Sequence, residues 1–204
     1  MIGVAVVEDH PLSRQGLMQI IYQSNEMELV ATASSVGEIE QEGYERVHVV
    51  LLDLHLPDAE GPDAIMRVKA KVPAVVVISA TNDHRSVVDA IGAGANGFLT
   101  KGANAHEILK AVTTVAQGGA YVTPMLAAHL LRHAREADGS KASLLTDRER
   151  EVLTLMAQGE TDAAIANHLA TDQITVRSLL NDIRDKTEQE YQADCFGYSR
   201  EIDP

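Results

Sequence analysis

Residues 49–61 read VVLLDLHLPDAEG, and this stretch decides the fold. Four apolar residues run without interruption into Asp53, and Pro57 and Gly61 follow within eight positions. An unbroken β-branched and aliphatic run of this length is the pattern of a strand buried on both faces, as in a parallel sheet. The same pattern recurs outward in both directions. IGVAVV (residues 2–7) runs into Glu8 and Asp9, AVVVIS (74–79) ends in Ser79, and GFLT (97–100) runs into Lys101. Strands are expected near 2–7, 28–33, 47–52, 74–79 and 97–100. Helical periodicity lies between and after them, near 12–24, 36–44, 61–71, 84–93 and 105–117. Five βα units predict an α/β domain with a five-stranded parallel sheet covered by helices.

The polar residues at these strand ends carry the chemistry. Loops at the carboxyl ends of parallel strands converge at the switch point of the sheet. Glu8, Asp9 and Asp53 would meet there as a hard, oxygen-rich site suited to Mg²⁺. Asp53 is then placed as a nucleophile forming an aspartyl phosphate. Lys101 would pair with the phosphoryl group as a point charge, Ser79 would donate its hydroxyl to it, and Phe98 is placed to move with the state of the site.

The 204 residues carry a net charge of −13, with 45% apolar and only 3% aromatic residues, so an aliphatic core is expected. A single cysteine, Cys195, excludes an intrachain disulfide and fits a reducing compartment. No stretch approaches the ~20 apolar residues of a membrane span, so a soluble, cytoplasmic chain with no membrane partner is expected. Three other patterns lead elsewhere and are set aside. Residues 92–97 fit GxGxxG, but they follow a helix and precede a strand, the reverse of a dinucleotide site. HLLRH (129–133) lacks the glutamate of a zinc-protease helix. A strand-end aspartate also serves phosphatases of the haloacid-dehalogenase type, but here His55 stands at the third position and Pro57 follows.

Beyond residue 120 the pattern becomes helical only. An apolar helix-like stretch, LAAHLLRHA, precedes the polar segment READGSKAS (135–143), a linker signature. Thr146 and Glu149 form a capping-box pattern opening a helix that Gly159 ends. Thr161 would cap a short helix and Asp172 a longer one, the arrangement of a helix-turn-helix. After Lys186 only a weak helical pattern continues, through Tyr191, Cys195 and Tyr198. The expected division is 1–120, a linker with a helix at 121–143, and a small all-α domain at 144–204.

VVEDHP, LLDLHLPDAEG, VVVISAT and GANGFLTKG closely resemble the receiver domain of bacterial two-component response regulators. The resemblance implies a flavodoxin-like (βα)₅ fold and phosphorylation of Asp53 by a sensor histidine kinase. It also implies Mg²⁺ at Glu8, Asp9, Asp53 and the His55 backbone carbonyl. Ser79 matches the switch hydroxyl, Phe98 the switch aromatic and Lys101 the signalling lysine. His55 and Thr81 fall where the family tunes autodephosphorylation. Such a receiver is a regulator, not an enzyme, beyond promoting its own phosphotransfer and dephosphorylation.

Residues 145–186 look like the helix-turn-helix of LuxR-type output domains, which makes the whole similar to a NarL/FixJ-type regulator. The resemblance implies double-stranded DNA as partner and a homodimer when phosphorylated, with the unphosphorylated receiver covering the recognition helix. Arg177, Ser178 and Asn181 lie at base-reading positions, and Thr161, Thr175 and Lys186 at or near phosphate contacts. The departures fall on the DNA-facing side. Asp162-Ala163 stands for the usual Asn-Lys, Asp172 for Ser, Leu179 for His and Thr187 for Leu, and Asp182 and Asp185 lie on the recognition helix. Residues 144–204 carry 13 acidic against 6 basic side chains. DNA affinity rests largely on Lys and Arg neutralising phosphates. A phosphorylation-switched transcription factor is therefore the first expectation. An output domain acting through protein–protein contact is the alternative.

Overall fold

The computed structural model describes residues 1–80, 84–137 and 145–198. Thr81 and residues 138–143 of the expected linker lie outside the described residues, as do the side chains of His129, His133 and Cys195.

The first half alternates strand and helix. The elements are β1 (Ile2–Val7), α1 (Pro11–Tyr22), β2 (Met27–Ala33), α2 (Val36–Glu42) and β3 (Val49–Leu52), then a two-strand hairpin, β4 (His55–Leu56) and β5 (Ala59–Glu60). α3 (Pro62–Lys69), β6 (Ala74–Ser79), α4 (His84–Gly92), β7 (Gly97–Thr100) and α5 (Ala105–Ala116) follow. The main sheet has five parallel strands in the order β2-β1-β3-β6-β7. Counting only these strands in chain order gives 2-1-3-4-5, the flavodoxin-like winding, whose switch point lies between β1 and β3.

Successive residues of a strand point to opposite faces, and both faces are covered. Ala5, Val7, Val50, Leu52, Val75 and Val77 pack toward α2, α3 and α4. Val4, Val6, Val49, Leu51, Val76 and Ile78 pack toward α1 and α5. That two-sided burial explains why these strands read as continuous apolar runs.

The sequence reading assigns no element between Asp53 and Gly61, where the structure has the β4–β5 hairpin. It pairs His55 with Glu60 and Leu56 with Ala59. Four residues around Pro57 are too few to display periodicity.

The remaining helices are α6 (Pro124–Ala137), α7 (Asp147–Ala157), α8 (Asp162–His168) and α9 (Gln173–Tyr198). α6 takes in Arg135, Glu136 and Ala137, which the sequence reading gave to the linker; all three are good helix formers. α7 opens with the expected capping box between Thr146 and Glu149. Thr161 caps α8 by accepting from Ala164 N. Asp172 caps α9 by accepting the Thr175 N–H at 2.7 Å.

α9 runs unbroken to Tyr198, through the segment after Lys186 where the sequence shows only a weak helical pattern. Residues 173–196 contain neither Gly nor Pro to stop it. Thr187, buried in the helix interior, also satisfies its own hydroxyl by donating to the Ile183 carbonyl at 2.9 Å.

The apolar cluster on the α4 side of the sheet does not stop at the receiver half. It continues through Leu126 and Leu130 of α6 into Leu153, Ile165, Val176 and Ile183. α9 itself packs on α4, and α6 packs on both α4 and α7. Ile91, Ala120, Tyr121, Leu126, Leu180 and Ile183 line the crevice where these elements meet.

Candidate functional site

The register of the sheet delivers the strand-end residues to one place. Asp53 N donates to Val7 O at 2.9 Å, which sets the end of β3 beside the end of β1. Lys101 N donates to Ser79 O at 2.8 Å, which does the same for β7 and β6. Glu8, Asp53 and Ser79 are essentially inaccessible to solvent, Asp9 is about one-third exposed, and Phe98 is wholly buried.

Lys101 holds the centre. Its Nζ lies 2.9 Å from Asp53 Oδ2 and 2.8–2.9 Å from the two Glu8 carboxylate oxygens. Burial lowers the ammonium pKa, but the hydrogen bonds to Glu8 and Asp53 outweigh it, so the net shift is upward. Asp53 Oδ1, on the same buried carboxylate, has no hydrogen-bond partner. A buried carboxylate oxygen without a partner is costly, and Asp53 stands in a cluster with Glu8, Asp9 and His10 in which one ligand atom of each lies within 4.8 Å of the others. The three carboxylates of this set fit a hard divalent cation.

The loop after Asp53 is closed by Gly61, whose N–H donates to Leu54 O at 2.8 Å and whose φ of +54° with ψ of −126° favours glycine. His55 is exposed in β4 and pairs with Glu60, so its backbone, not its ring, is the part built into the fold.

Three residues bearing on the site escaped the sequence reading. Arg14 on α1 donates through Nη1 to the carbonyls of Glu8 (2.6 Å) and Asp9 (3.4 Å), fixing the acidic turn. Asp58 reaches from the loop after β3 to the N-terminus of α2, accepting from Val36 N at 3.0 Å and Gly37 N at 2.6 Å. His10 sets its Nδ1 2.6 Å from Asp9 Oδ1 and 3.3 Å from Glu8 Oε1. The only signal for His10 was adjacency to Asp9; Asp58 acts on backbone 21 and 22 residues away and Arg14 on the carbonyls of the preceding turn, and neither matches a sequence motif.

The residues expected to face DNA are not equivalent. Arg177 and Ser178 are exposed on α9, and Thr161 is exposed before α8. Thr175 is half-buried near the start of α9. Arg177 Nε lies 3.8 Å from Asp162 Oδ2. Lys186 is bound at 2.8 Å to both oxygens of Glu149, a carboxylate that is itself almost wholly buried. Burial raises the Glu149 pKa, but Lys186 and the two Thr146 hydrogen bonds outweigh it, leaving it below its ordinary value. Asn181 faces the receiver half. Its Oδ1 accepts from Ala120 N at 2.8 Å and its Nδ2 donates to Gly118 O at 3.3 Å.

Two family models match the chain: the response regulator receiver domain over residues 4–113 and the bacterial regulatory proteins of the LuxR family over 143–189. The chain belongs to the two-component response regulators of the receiver-plus-LuxR type, a family of transcriptional regulators and not of typical enzymes. The transcriptional regulatory protein DegU of Brevibacillus brevis is 31% identical over 206 residues, covering 91% of this chain and 87% of that one. The nitrate/nitrite response regulator protein NarL of Escherichia coli K12 is 34% identical over 182 residues, covering 85% and 83%. The structure described as a two-component response regulator RcsB–DNA complex shares the fold, with a TM-score of 0.59 at 21% identity, covering 92% of each chain. Among the described residues no helix is long and apolar enough to cross a membrane.

Proposed function

We propose that this chain is a cytoplasmic, phosphorylation-switched, DNA-binding transcriptional regulator that accepts a phosphoryl group on Asp53 from a sensor histidine kinase. In this reading residues 1–120 receive the signal, 121–143 connect, and 144–204 carry the output. The observation that carries the proposal is the Asp53 carboxylate itself. One oxygen is held by Lys101 and the other is left without a hydrogen bond in a buried acidic cluster. Glu8, Asp9, Asp53 and the His55 carbonyl would hold Mg²⁺, which when bound neutralises phosphoryl oxygens during transfer. Lys101 orients the Asp53 carboxylate as a nucleophile, then offers its ammonium to the transferred group. Ser79 offers its hydroxyl as the switch residue, with Phe98 in its inward, fully buried position as the resting partner. The receiver's own residues also set the rate of dephosphorylation.

The output helix is held closed. Asn181, at a base-reading position, spends both ends of its amide on the backbone around Ala120, and Leu180 and Ile183 pack in the same crevice. Phosphorylation adds about −1.5 to −2 charge at Asp53. It would release this contact and permit a homodimer on a two-fold DNA site. Intact-mass analysis after treatment with a small-molecule phosphodonor and Mg²⁺ tests the acceptor. One phosphoryl mass should be gained by the wild type and none by Asp53→Asn. Selection of bound sequences from a random duplex pool, run on both proteins, tests the output. Enrichment should appear with the phosphorylated form alone.

One observation favours a second reading. Arg177 and Lys186 each face a carboxylate of the output domain itself. With these two cations already facing carboxylates, the domain suits contact with a partner protein through its acidic surface. No enrichment from protein shown to be phosphorylated would favour that reading.

A further inference from the structure

His10 is the N-cap residue of α1, yet its ring makes no capping hydrogen bond to the helix. Pro11 follows it and removes one of the donors a cap would satisfy. The ring turns instead toward the acidic cluster, with Nδ1 2.6 Å from Asp9 Oδ1 and 3.3 Å from Glu8 Oε1. One ligand atom from each of Glu8, Asp9, His10 and Asp53 falls within 4.8 Å of every other. Asp53 of this group is buried, and its Oδ1 has no hydrogen-bond partner.

Two ligands at right angles on one ion, each ~2.1 Å from it, stand about 3 Å apart. The Nδ1–oxygen separations bracket that value. The imidazole is two-thirds exposed, so it is open to an ion from solvent.

Ligand type then decides which ion gains. Mg²⁺ takes oxygen ligands and keeps several waters. An imidazole nitrogen adds little for Mg²⁺ but substantially favours the later first-row ions, Co²⁺, Ni²⁺ and Zn²⁺. We infer that His10 is a nitrogen ligand of the Asp53 site, so that the pocket takes a borderline transition-metal dication through His10, Asp9, Glu8 and Asp53. The inference rests on the reading of this cluster as a cation site. It makes that site open to competition between Mg²⁺ and a transition metal at the phospho-acceptor.

The test uses the full chain, stripped of metal, in wild-type, His10→Gln and Asp53→Asn forms. Co²⁺ is titrated by its visible absorption, Zn²⁺ by displacement of Co²⁺, and Mg²⁺ by calorimetry. His10→Gln should weaken Co²⁺ and Zn²⁺ by about tenfold or more and leave Mg²⁺ within about twofold. Asp53→Asn should weaken all three. Equal Co²⁺ affinity in wild type and His10→Gln would overturn the inference while leaving the Mg²⁺ site standing. Co²⁺ binding that ignores Asp53→Asn would place the ion elsewhere and overturn it as well. Failure of wild type to bind either Mg²⁺ or Co²⁺ would overturn the cation site itself.

Discussion

The acid site of the receiver and the exposed face of the output helix both set cations against carboxylates, with opposite consequences. At the strand ends, one ammonium is shared by two buried carboxylates and an Asp53 oxygen is left over. On α9, the cations are consumed. Arg177 faces Asp162, Arg184 lies 2.6 Å from Asp185, and Lys186 is bound by Glu149. The first arrangement is short of cations and invites one. The second is rich in acids, and each of its bases meets a competitor before any phosphate arrives. A salt bridge therefore identifies a site only together with its burial and with what remains unpaired around it.

The largest expected effect comes from removing the shared cation. Lys101→Met leaves Glu8 and Asp53 buried and facing each other. Breaking a buried pair by deleting one partner costs about 3–5 kcal/mol, and a quarter-exposed ammonium places this case at the lower end. Millimolar Mg²⁺ should raise the melting temperature of the variant by more than that of wild type, because the ion replaces the missing charge. An equal Mg²⁺ effect on both proteins would show that Lys101 and the ion do not share the carboxylates.

Next comes the pair that Lys186 makes with the buried Glu149 in the output domain. Glu149→Gln should cost about 1–3 kcal/mol, since it weakens charge-assisted bonds to Lys186 and to the capping box. The pH dependence has a fixed sign. The folded-state pKa of Glu149 lies below its ordinary value of 4.5, so its contribution is complete above that value. It is lost as pH falls from 4.5 through the lowered folded value. Denaturant melts of wild type should therefore weaken on acidification through this window, and the variant should lose part of that slope. Parallel slopes would show that Glu149 is not responsible.

How much of this was legible in the sequence differs between the two regions for a physical reason. The parallel strands are buried on both faces, so their apolar runs and the polar residues ending them stand out. Glu8, Asp9, Asp53, Ser79 and Lys101 stand at strand ends, as that pattern predicts, and the sheet brings Glu8, Asp9, Asp53 and Lys101 together. The β4–β5 hairpin was too short to show a period. Asp58, whose partners are backbone N–H groups 21 and 22 residues away, left no local trace. In the output half the caps at Thr146, Thr161 and Asp172 were readable because capping is a local rule. The pairing of Lys186 with Glu149, 37 residues apart, was not. Nor was the turn of Asn181 toward Ala120, because which face a half-buried polar residue presents is settled by tertiary packing.

That Asn181 contact gives a smaller effect. Asn181→Ala removes two hydrogen bonds between the halves, each worth about 0.5–1.5 kcal/mol. Exchange of the Ala120 amide hydrogen in the unphosphorylated protein should quicken by roughly tenfold, the equivalent of about 1.4 kcal/mol. Amides in the middle of β3 should be unaffected. Unchanged exchange at Ala120 would mean that apolar packing alone holds the halves together.

The smallest effect on stability falls at the most exposed pair, and there the comparison is sharpest. Arg177 and Asp162 are 53% and 31% exposed and 3.8 Å apart, so their attraction contributes about 0–1 kcal/mol to folding. Asp162→Asn should leave the melting temperature nearly unchanged. Its consequence appears when a phosphate backbone approaches, because the carboxylate both occupies Arg177 and repels the incoming anion. Neutralising it should strengthen DNA binding and steepen the dependence of log affinity on log salt by up to about one unit, the signature of one more phosphate neutralised. A binding curve indifferent to Asp162 at every salt concentration would mean that Arg177 does not meet DNA. The acidic face of α9 would then be the surface that the output domain presents to a protein.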